Sequence, residues 1–175
     1  RGMKLMATPV TRYAREQNIP CLQPTNLKNE TFLEELKTYN ADLQVVIAFR
    51  MLPVVVWDMP PMGTYNLHAS LLPQYRGAAP INWAIINGDT ETGVSTFKLK
   101  HEIDTGDLLV QKTCAITDDD TVGTLHDKLM HIGADAVTET LDQIASGVVK
   151  QIPQIDNAEL RAAPKLFTTN TEIDW

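Results

Sequence analysis

The sequence predicts an α/β domain in which helices flank a mostly parallel sheet. Candidate strands alternate with candidate helices through the first hundred residues, which is typical of this class. The run 43–49 is short, apolar and nearly continuous, as expected for a strand buried on both faces of a parallel sheet. The 175 residues are enough for one domain with a hydrophobic core.

The helices are placed by capping residues and by the spacing of apolar side chains. Thr8 and Pro9 supply a capping side chain and a first-turn proline, so a helix begins there. Pro80 near the start and Gly88 just past the end bracket a helix over 79–87. The other predicted helical segments are 30–37, 54–57 and 121–144. In the last of these, the apolar spacing predicts one buried face, and Gly123 and Gly133 leave open a division into two helices.

The predicted strands indicate which end of the sheet should carry a functional site. They are 21–23, 43–49, 64–68, 93–99 and 108–116. One of them ends at His68, directly before a loop, and α/β sheets bind ligands beyond the carboxyl ends of their strands. We therefore expect the site at this strand end. The segment 151–175 shows little periodicity, and we interpret it as a linker toward a further domain.

Composition and charge argue against several classes of protein. The net charge of −7 argues against a general nucleic-acid-binding surface and leaves room only for a local basic rim. No apolar run approaches the ~20 residues that span a bilayer, and no signal peptide is visible. Cys21 and Cys114 have no metal or disulfide spacing. We expect a cytoplasmic monomer that acts without a metal and away from membranes.

An amide, an imidazole and a carboxylate form the candidate catalytic group. Asn66 and His68 are two residues apart and so project from one face of a strand, and Asp104 follows in a turn-like segment. The amide and a protonated imidazole can donate hydrogen bonds to the oxygen of an attacked carbonyl. The carboxylate can accept a proton from an attacking amine and hold the imidazole protonated. Spacing alone favours a plainer interpretation, namely a polar pair at a strand end and a solvated turn.

The loop after His68 gives a more specific signal, because it completes a recognisable motif. The motif is Asn66-x-His68-x-Ser70-Leu71-Leu72-Pro73, together with Asp104-x-Gly106. It resembles the signature of the enzymes that transfer a formyl group from 10-formyltetrahydrofolate. The segments 1–5, 75–80 and 173–175 resemble the members of this family that act on methionyl-initiator tRNA. The resemblance implies a Rossmann-like formyltransferase fold without its first strand–helix segment, with residues 1–150 as the catalytic domain.

The resemblance also assigns roles to individual residues. Asn66, His68 and Asp104 match the catalytic trio of the family. The residues that match its folate pocket are Phe49, Arg50, Met51, Leu52, His101, Glu102 and Ile103. The residues expected to contact the tRNA are Arg1, Lys4 and Arg76. The implied co-substrate is 10-formyltetrahydrofolate, and no metal is required.

Several other functions remain open for the same residues. The formyl group could pass to a small amine, either glycinamide ribonucleotide or a nucleotide-linked amino sugar, and the segment 87–93 also suits the amino-sugar enzymes. Water in place of the amine would make the protein a hydrolase of the formyl donor. A non-catalytic folate-binding module would retain the trio for pocket structure alone.

Overall fold

The computed structural model describes residues 7–48, 51–156 and 159–172. The chain divides into two compact units, Arg1–Asn40 and Ala41–Trp175. Among the described ranges, no helix has both the length and the apolar character needed to span a bilayer.

The first unit contains two capped helices. Helix α1 spans Pro9–Glu16 and helix α2 spans Glu30–Thr38. The Thr8 side chain accepts a hydrogen bond from the first turn of α1, and Asn29 caps α2 in the same way. Both helices confirm the sequence prediction. The predicted strand at 21–23 is wrong, because prolines flank these three residues and the extended segment pairs with no strand of the described chain.

The second unit is built on a four-stranded mixed sheet. Its strands lie in the order β1-β2-β3-β4 and span Gln44–Ile47, Thr64–His68, Glu91–Lys98 and Leu108–Ala115. Strands β1 and β2 are parallel, whereas the β2–β3 and β3–β4 pairs are antiparallel. The α/β class is therefore confirmed, but the prediction of a mostly parallel sheet is wrong. Residues 69–90 leave the carboxyl end of β2 and enter β3 from that same end, so the direction of the chain reverses.

The helices of the second unit follow the predicted positions closely. They are α3 at Val54–Trp57, α4 at Pro80–Ile86 and α5 at Val122–Ala145. The 3₁₀ turn Thr168–Thr171 lies in the segment for which the sequence predicts no helix. Helix α5 packs against one face of the sheet through a row that includes Leu125, Leu129 and Ala136. Gly133 allows a close approach, since a Cβ atom there would lie 2.9 Å from Leu67 Cδ2. The predicted buried face of this helix is confirmed.

Strand β1 is less buried than its apolar sequence predicts. Val45 and Ile47 are 37% and 56% exposed. β1 is an edge strand of the described sheet, and α5 packs mainly over β3 and β4, so β1 is covered less than the central strands. The expectation of burial on both faces is wrong for this strand.

The segment after residue 150 is extended and pairs with the second unit. Ile152 exchanges two backbone hydrogen bonds with Leu108, at 2.8 and 2.9 Å. Further along, Arg161 and Ala163 bond the backbone of the loop that follows β2. The separation of a catalytic domain at 1–150 from a linker at 151–175 stays a prediction.

Candidate active site

The site lies on the face of the sheet opposite α5. Side chains alternate along β2, so Tyr65 and Leu67 face the helix while Asn66 and His68 point the other way. Asn66 is partly buried, and His68, at the end of the strand, is only 7% exposed. The structure thus places the amide and the imidazole on one face, as the spacing predicts.

The imidazole of His68 is held by a backbone carbonyl. Its Nε2 lies 2.8 Å from the carbonyl oxygen of Tyr75. A carbonyl oxygen can only accept a hydrogen bond, so Nε2 must carry the hydrogen. The other ring nitrogen, Nδ1, faces the carboxylate of Asp104, 3.8 Å from Oδ2. The hydrogen bond to the Tyr75 carbonyl therefore fixes the orientation of the ring. In the neutral ring it selects the tautomer that carries the hydrogen on Nε2.

Asp104 is brought to the imidazole by an unusual backbone turn. Its φ is +55°, in the left-handed region, and its side chain is 11% exposed. Its Oδ2 accepts a hydrogen bond of 3.0 Å from the backbone N–H of Gly77. Gly106 allows the turn, because a Cβ atom there would lie 1.7 Å from the Lys98 carbonyl oxygen. The 3.8 Å separation from His68 allows a charge interaction but is too long for a hydrogen bond.

Polar side chains of β3 and β4 fasten the start of the loop after β2 to the sheet. Ser95 Oγ donates to the Ser70 carbonyl oxygen at 2.6 Å and accepts from the Leu72 N–H at 3.0 Å. Gln111 Nε2 donates to the Leu72 carbonyl oxygen and to Ser95 Oγ, both at 2.9 Å. The two bonds of Ser95 are buried, where hydrogen bonds are strong, and those of Gln111 lie nearer the surface.

A second polar group fastens the middle of the loop. The Tyr75 hydroxyl donates to Asp89 Oδ2 at 2.6 Å, and Arg161 forms a two-pronged pair with the same carboxylate at 2.8 and 3.1 Å. Burial, together with the bond to Asp89, raises the pKa of Tyr75, so the phenol stays a donor. The carbonyl that orients His68 therefore belongs to a residue fixed at its side chain.

The predicted folate residues are only partly within the described chain. Phe49 and Arg50 lie outside the described residues. Met51 is 75% exposed, and Leu52 is partly buried. The remaining three, His101, Glu102 and Ile103, form an exposed loop between β3 and β4. The His101 ring meets the edge of Trp57 in α3, with centroids 5.2 Å apart, so this loop and the 51–57 segment are neighbours.

The predicted tRNA contacts have different surroundings. Arg1 and Lys4 lie outside the described residues, as does the segment 173–175. Arg76 is described, and its guanidinium donates to Gln154 Oε1 from Nε and Nη2 at 3.1 and 2.8 Å. Its Nη2 also lies 2.9 Å from Asp156 Oδ1. The Arg76 charge is therefore engaged within the molecule, and its role toward an acceptor stays a prediction.

Sequence reasoning missed three groups that shape the site. They are the Tyr75 carbonyl, the Gly77 N–H and the Gln154 side chain. The first two are backbone atoms, which every residue type supplies, so no residue pattern signals them. Gln154 lies in a segment without periodicity, and its amide bonds the Asp104 and Gly106 carbonyls. The only available signal was the stiff composition of the loop that contains Gly77.

Comparison with known proteins identifies the family of this chain. The family described as formyl transferase matches residues 1–141. The chain belongs to the formyl transferase family, as the motif around β2 indicated.

Curated relatives and solved structures extend the likeness. Methionyl-tRNA formyltransferase of Bacteroides fragilis is 59% identical over 178 residues, which cover 100% of this chain and 55% of the relative. The Flavobacterium psychrophilum enzyme of the same name is 55% identical over 175 residues, with the same coverage. This chain thus spans about half the length of these relatives. HypX from Aquifex aeolicus, solved with tetrahydrofolic acid, is 25% identical with a TM-score of 0.70, over 82% of this chain and 24% of that one.

Proposed function

We propose that this chain carries the catalytic centre of an enzyme that formylates the amino group of methionyl-initiator tRNA, with 10-formyltetrahydrofolate as donor. The observation that carries the proposal is the buried pair of His68 and Asp104, with Asn66 on the same strand face. The names of the curated relatives support this acceptor. The tetrahydrofolate bound to HypX supports a folate donor.

In this reaction the methionyl amine attacks the formyl carbon, and the carbonyl oxygen becomes negative. Asn66 donates a hydrogen bond to that oxygen from its amide. His68 donates from Nδ1 when this atom is protonated, since Nε2 is already bound to the Tyr75 carbonyl. Asp104, 3.8 Å away, balances the charge of the imidazolium.

The remaining steps move one proton and break one bond. Asp104 takes the proton of the new ammonium group, directly or through a water molecule. The negative oxygen then returns to a carbonyl as the carbon–nitrogen bond to the folate breaks. The departing folate nitrogen receives the proton that Asp104 took. The products are the formylated methionyl ester and tetrahydrofolate, so atoms and charge balance without any oxidation or reduction.

The binding surfaces complete the proposal. The folate would lie between the segment 49–52 and the loop 101–103. The contact between Trp57, in the helix that follows this segment, and His101 supports this placement. Arg1 and Lys4 would contact the tRNA near its methionyl end. Phosphate contacts of this kind weaken as salt concentration rises. The acceptor would place the enzyme in the cytoplasm, at the initiation of translation.

The test supplies the full-length protein with 10-formyltetrahydrofolate and three acceptors in separate reactions, and follows the formyl group by mass spectrometry. The acceptors are methionyl-initiator tRNA, glycinamide ribonucleotide and an amino-sugar nucleotide. Asp104→Asn is the test variant, and Asp107→Asn in the same loop is its matched control, because Asp107 pairs with exposed Lys100 instead.

We expect formylated tRNA from the unmodified protein and from Asp107→Asn, and at least ~100-fold less from Asp104→Asn. Formylation of a small amine alone would keep the chemistry and replace the acceptor. Formate release without transfer would identify a hydrolase. Folate binding without either product would identify a non-catalytic module.

A further inference from the structure

We propose that Gln154 is a positioning residue that holds Asp104 in its catalytic geometry. The proposal rests on the proposed function, because it gives Asp104 a role in formyl transfer. Its basis is that the Gln154 amide forms hydrogen bonds both to the turn that carries Asp104 and to Arg76, next to the residue whose N–H binds the Asp104 carboxylate.

The donor end of Gln154 holds the Asp104 turn. Its Nε2 donates to the carbonyl oxygens of Asp104 and Gly106, each at 2.8 Å. A primary amide has two N–H groups, and each carbonyl uses one of them. The first of these carbonyls belongs to Asp104 itself, whose positive φ is a conformation that costs free energy for a residue with a side chain. The amide thus supplies the contacts that oppose relaxation of the turn.

The acceptor end of Gln154 holds the opposing loop. Its Oε1 accepts from Nε and Nη2 of Arg76, at 3.1 and 2.8 Å. The residue after Arg76 is Gly77, whose N–H binds the Asp104 carboxylate, and the residue before it is Tyr75, whose carbonyl orients His68. One side chain therefore ties the turn that carries the carboxylate to the loop that orients it.

The position of Gln154 is itself fixed by backbone pairing. Ile152 pairs antiparallel with Leu108 through two hydrogen bonds. Two residues further along this register, Gln154 lies beside Gly106, within reach of the turn. The segment predicted as a linker thus delivers the amide to the site.

A simpler role would be to anchor the segment after residue 150 through Arg76. Two size-matched variants separate the roles. Gln154→Glu keeps oxygen acceptors for Arg76 but has no N–H donors for the two carbonyls. Gln154→Met has neither donors nor strong acceptors. If the donors matter, both variants lose activity, whereas a pure anchor loses activity only in Gln154→Met.

The experiment measures kcat, both KM values and the thermal midpoint of the full-length protein, with 10-formyltetrahydrofolate and methionyl-initiator tRNA. Gln151→Ala is the control, since this exposed glutamine lies in the same segment. We expect both Gln154 variants to lower kcat about 10- to 100-fold, because a displaced catalytic group loses rate on this scale. KM values should stay within about twofold, and the thermal midpoints should remain well above the assay temperature.

Asp104→Asn runs in parallel so that the two proposals can fail separately. If the unmodified protein forms no formylated tRNA, the proposed function is wrong. If it does and Asp104→Asn keeps full activity, the role proposed for Asp104 is wrong and the inference falls with it. If Asp104→Asn is inactive while Gln154→Glu keeps the unmodified kcat, Gln154 is no positioning residue and only the inference is overturned. A loss in Gln151→Ala as large as in the Gln154 variants would also overturn it, because the effect would then belong to the whole segment.

Discussion

The two faces of the sheet differ in the balance between apolar packing and hydrogen bonds. The face under α5 is an apolar cluster that includes Leu125, Leu129, Tyr65 and Val94. The opposite face carries the candidate site. A smaller apolar cluster of Leu72, Phe97 and Leu108 lies there, and hydrogen bonds from side chains to backbone carbonyls and N–H groups fasten the loop after β2. Apolar packing supplies stability without directing individual atoms, whereas hydrogen bonds fix particular atoms at particular distances. Changes on the first face should therefore cost stability, and changes on the second should cost rate.

The largest expected effect is a loss of stability on the α5 face. Leu125 is fully buried in the cluster, so Leu125→Ala should lower the free energy of unfolding by about 2–5 kcal/mol through lost burial and a cavity. Its kcat should remain within about twofold while the protein is folded. Urea denaturation and initial rates check the two halves of this prediction. Met130→Ala on the exposed side of the same helix is the control, and it should change neither quantity appreciably.

The reverse pattern is expected for His68. Gln can place an amide N–H near the position of Nε2 and keep the bond to the Tyr75 carbonyl, but it has no counterpart of Nδ1. His68→Gln should therefore lower kcat by about 10²–10³ with little change in stability. Initial rates and thermal melts of this variant, beside His126→Gln on the exposed face of α5, provide the measurement. A large loss of stability with unchanged kcat would contradict the division between the two faces.

Tyr75 tests a residue that contributes to both stability and geometry. Tyr75→Phe removes a hydrogen bond to the carboxylate of Asp89, and the free energy of unfolding should fall by about 1–2 kcal/mol. Its backbone carbonyl remains, so kcat should fall less than about threefold. Denaturant titrations check the first value, and Tyr39→Phe at an exposed position should leave stability unchanged.

The raised pKa of Tyr75 adds a pH dependence to this prediction. Because the folded pKa lies above the ordinary 10.0, the contribution is complete below pH 10 and is lost as pH rises through the folded pKa. The stability difference between the unmodified protein and Tyr75→Phe should therefore narrow at alkaline pH. A constant difference from pH 8 to pH 11 would show that the phenol ionises equally in both states.

The same contrast explains how much the sequence predicts. Helix α5 is predicted almost to the residue because an apolar row repeats at 3.6-residue spacing. The alternation of β2 likewise places Asn66 and His68 on one face. The direction of β3 depends on where the chain returns, which local pattern does not encode, and the sheet is mixed as a result.

The arrangement of the site is harder to predict, because backbone groups make much of it. The Tyr75 carbonyl and the Gly77 N–H contact His68 and Asp104, yet any residue would supply the same atoms. Gln154 lies 50 residues from Asp104 in the sequence and contacts it because of strand pairing, which no local spacing predicts. The motif predicts the chemistry that we propose, whereas the fold supplies the groups that orient the candidate residues.

The smallest expected effect concerns Asp120, which lies just before α5 and outside both faces compared above. The ammonium of Lys128 and the N–H of Thr117 hold the pKa of this carboxyl well below its ordinary 3.8. Asp120→Asn should therefore lower the thermal midpoint slightly at pH 7.

Because the folded pKa of Asp120 is depressed, the stabilisation is present above pH 3.8 and is lost as pH falls through the folded pKa. In thermal melts from pH 7 to pH 2, the midpoint of Asp120→Asn should approach that of the unmodified protein below pH 3.8. The control Asp119→Asn, at an exposed neighbouring position, should have the midpoint of the unmodified protein at every pH. A gap that stays constant over this range would mean that the Asp120 charge does not contribute, and the N-terminal end of α5 would then be held by the Thr121 and Thr124 cap alone.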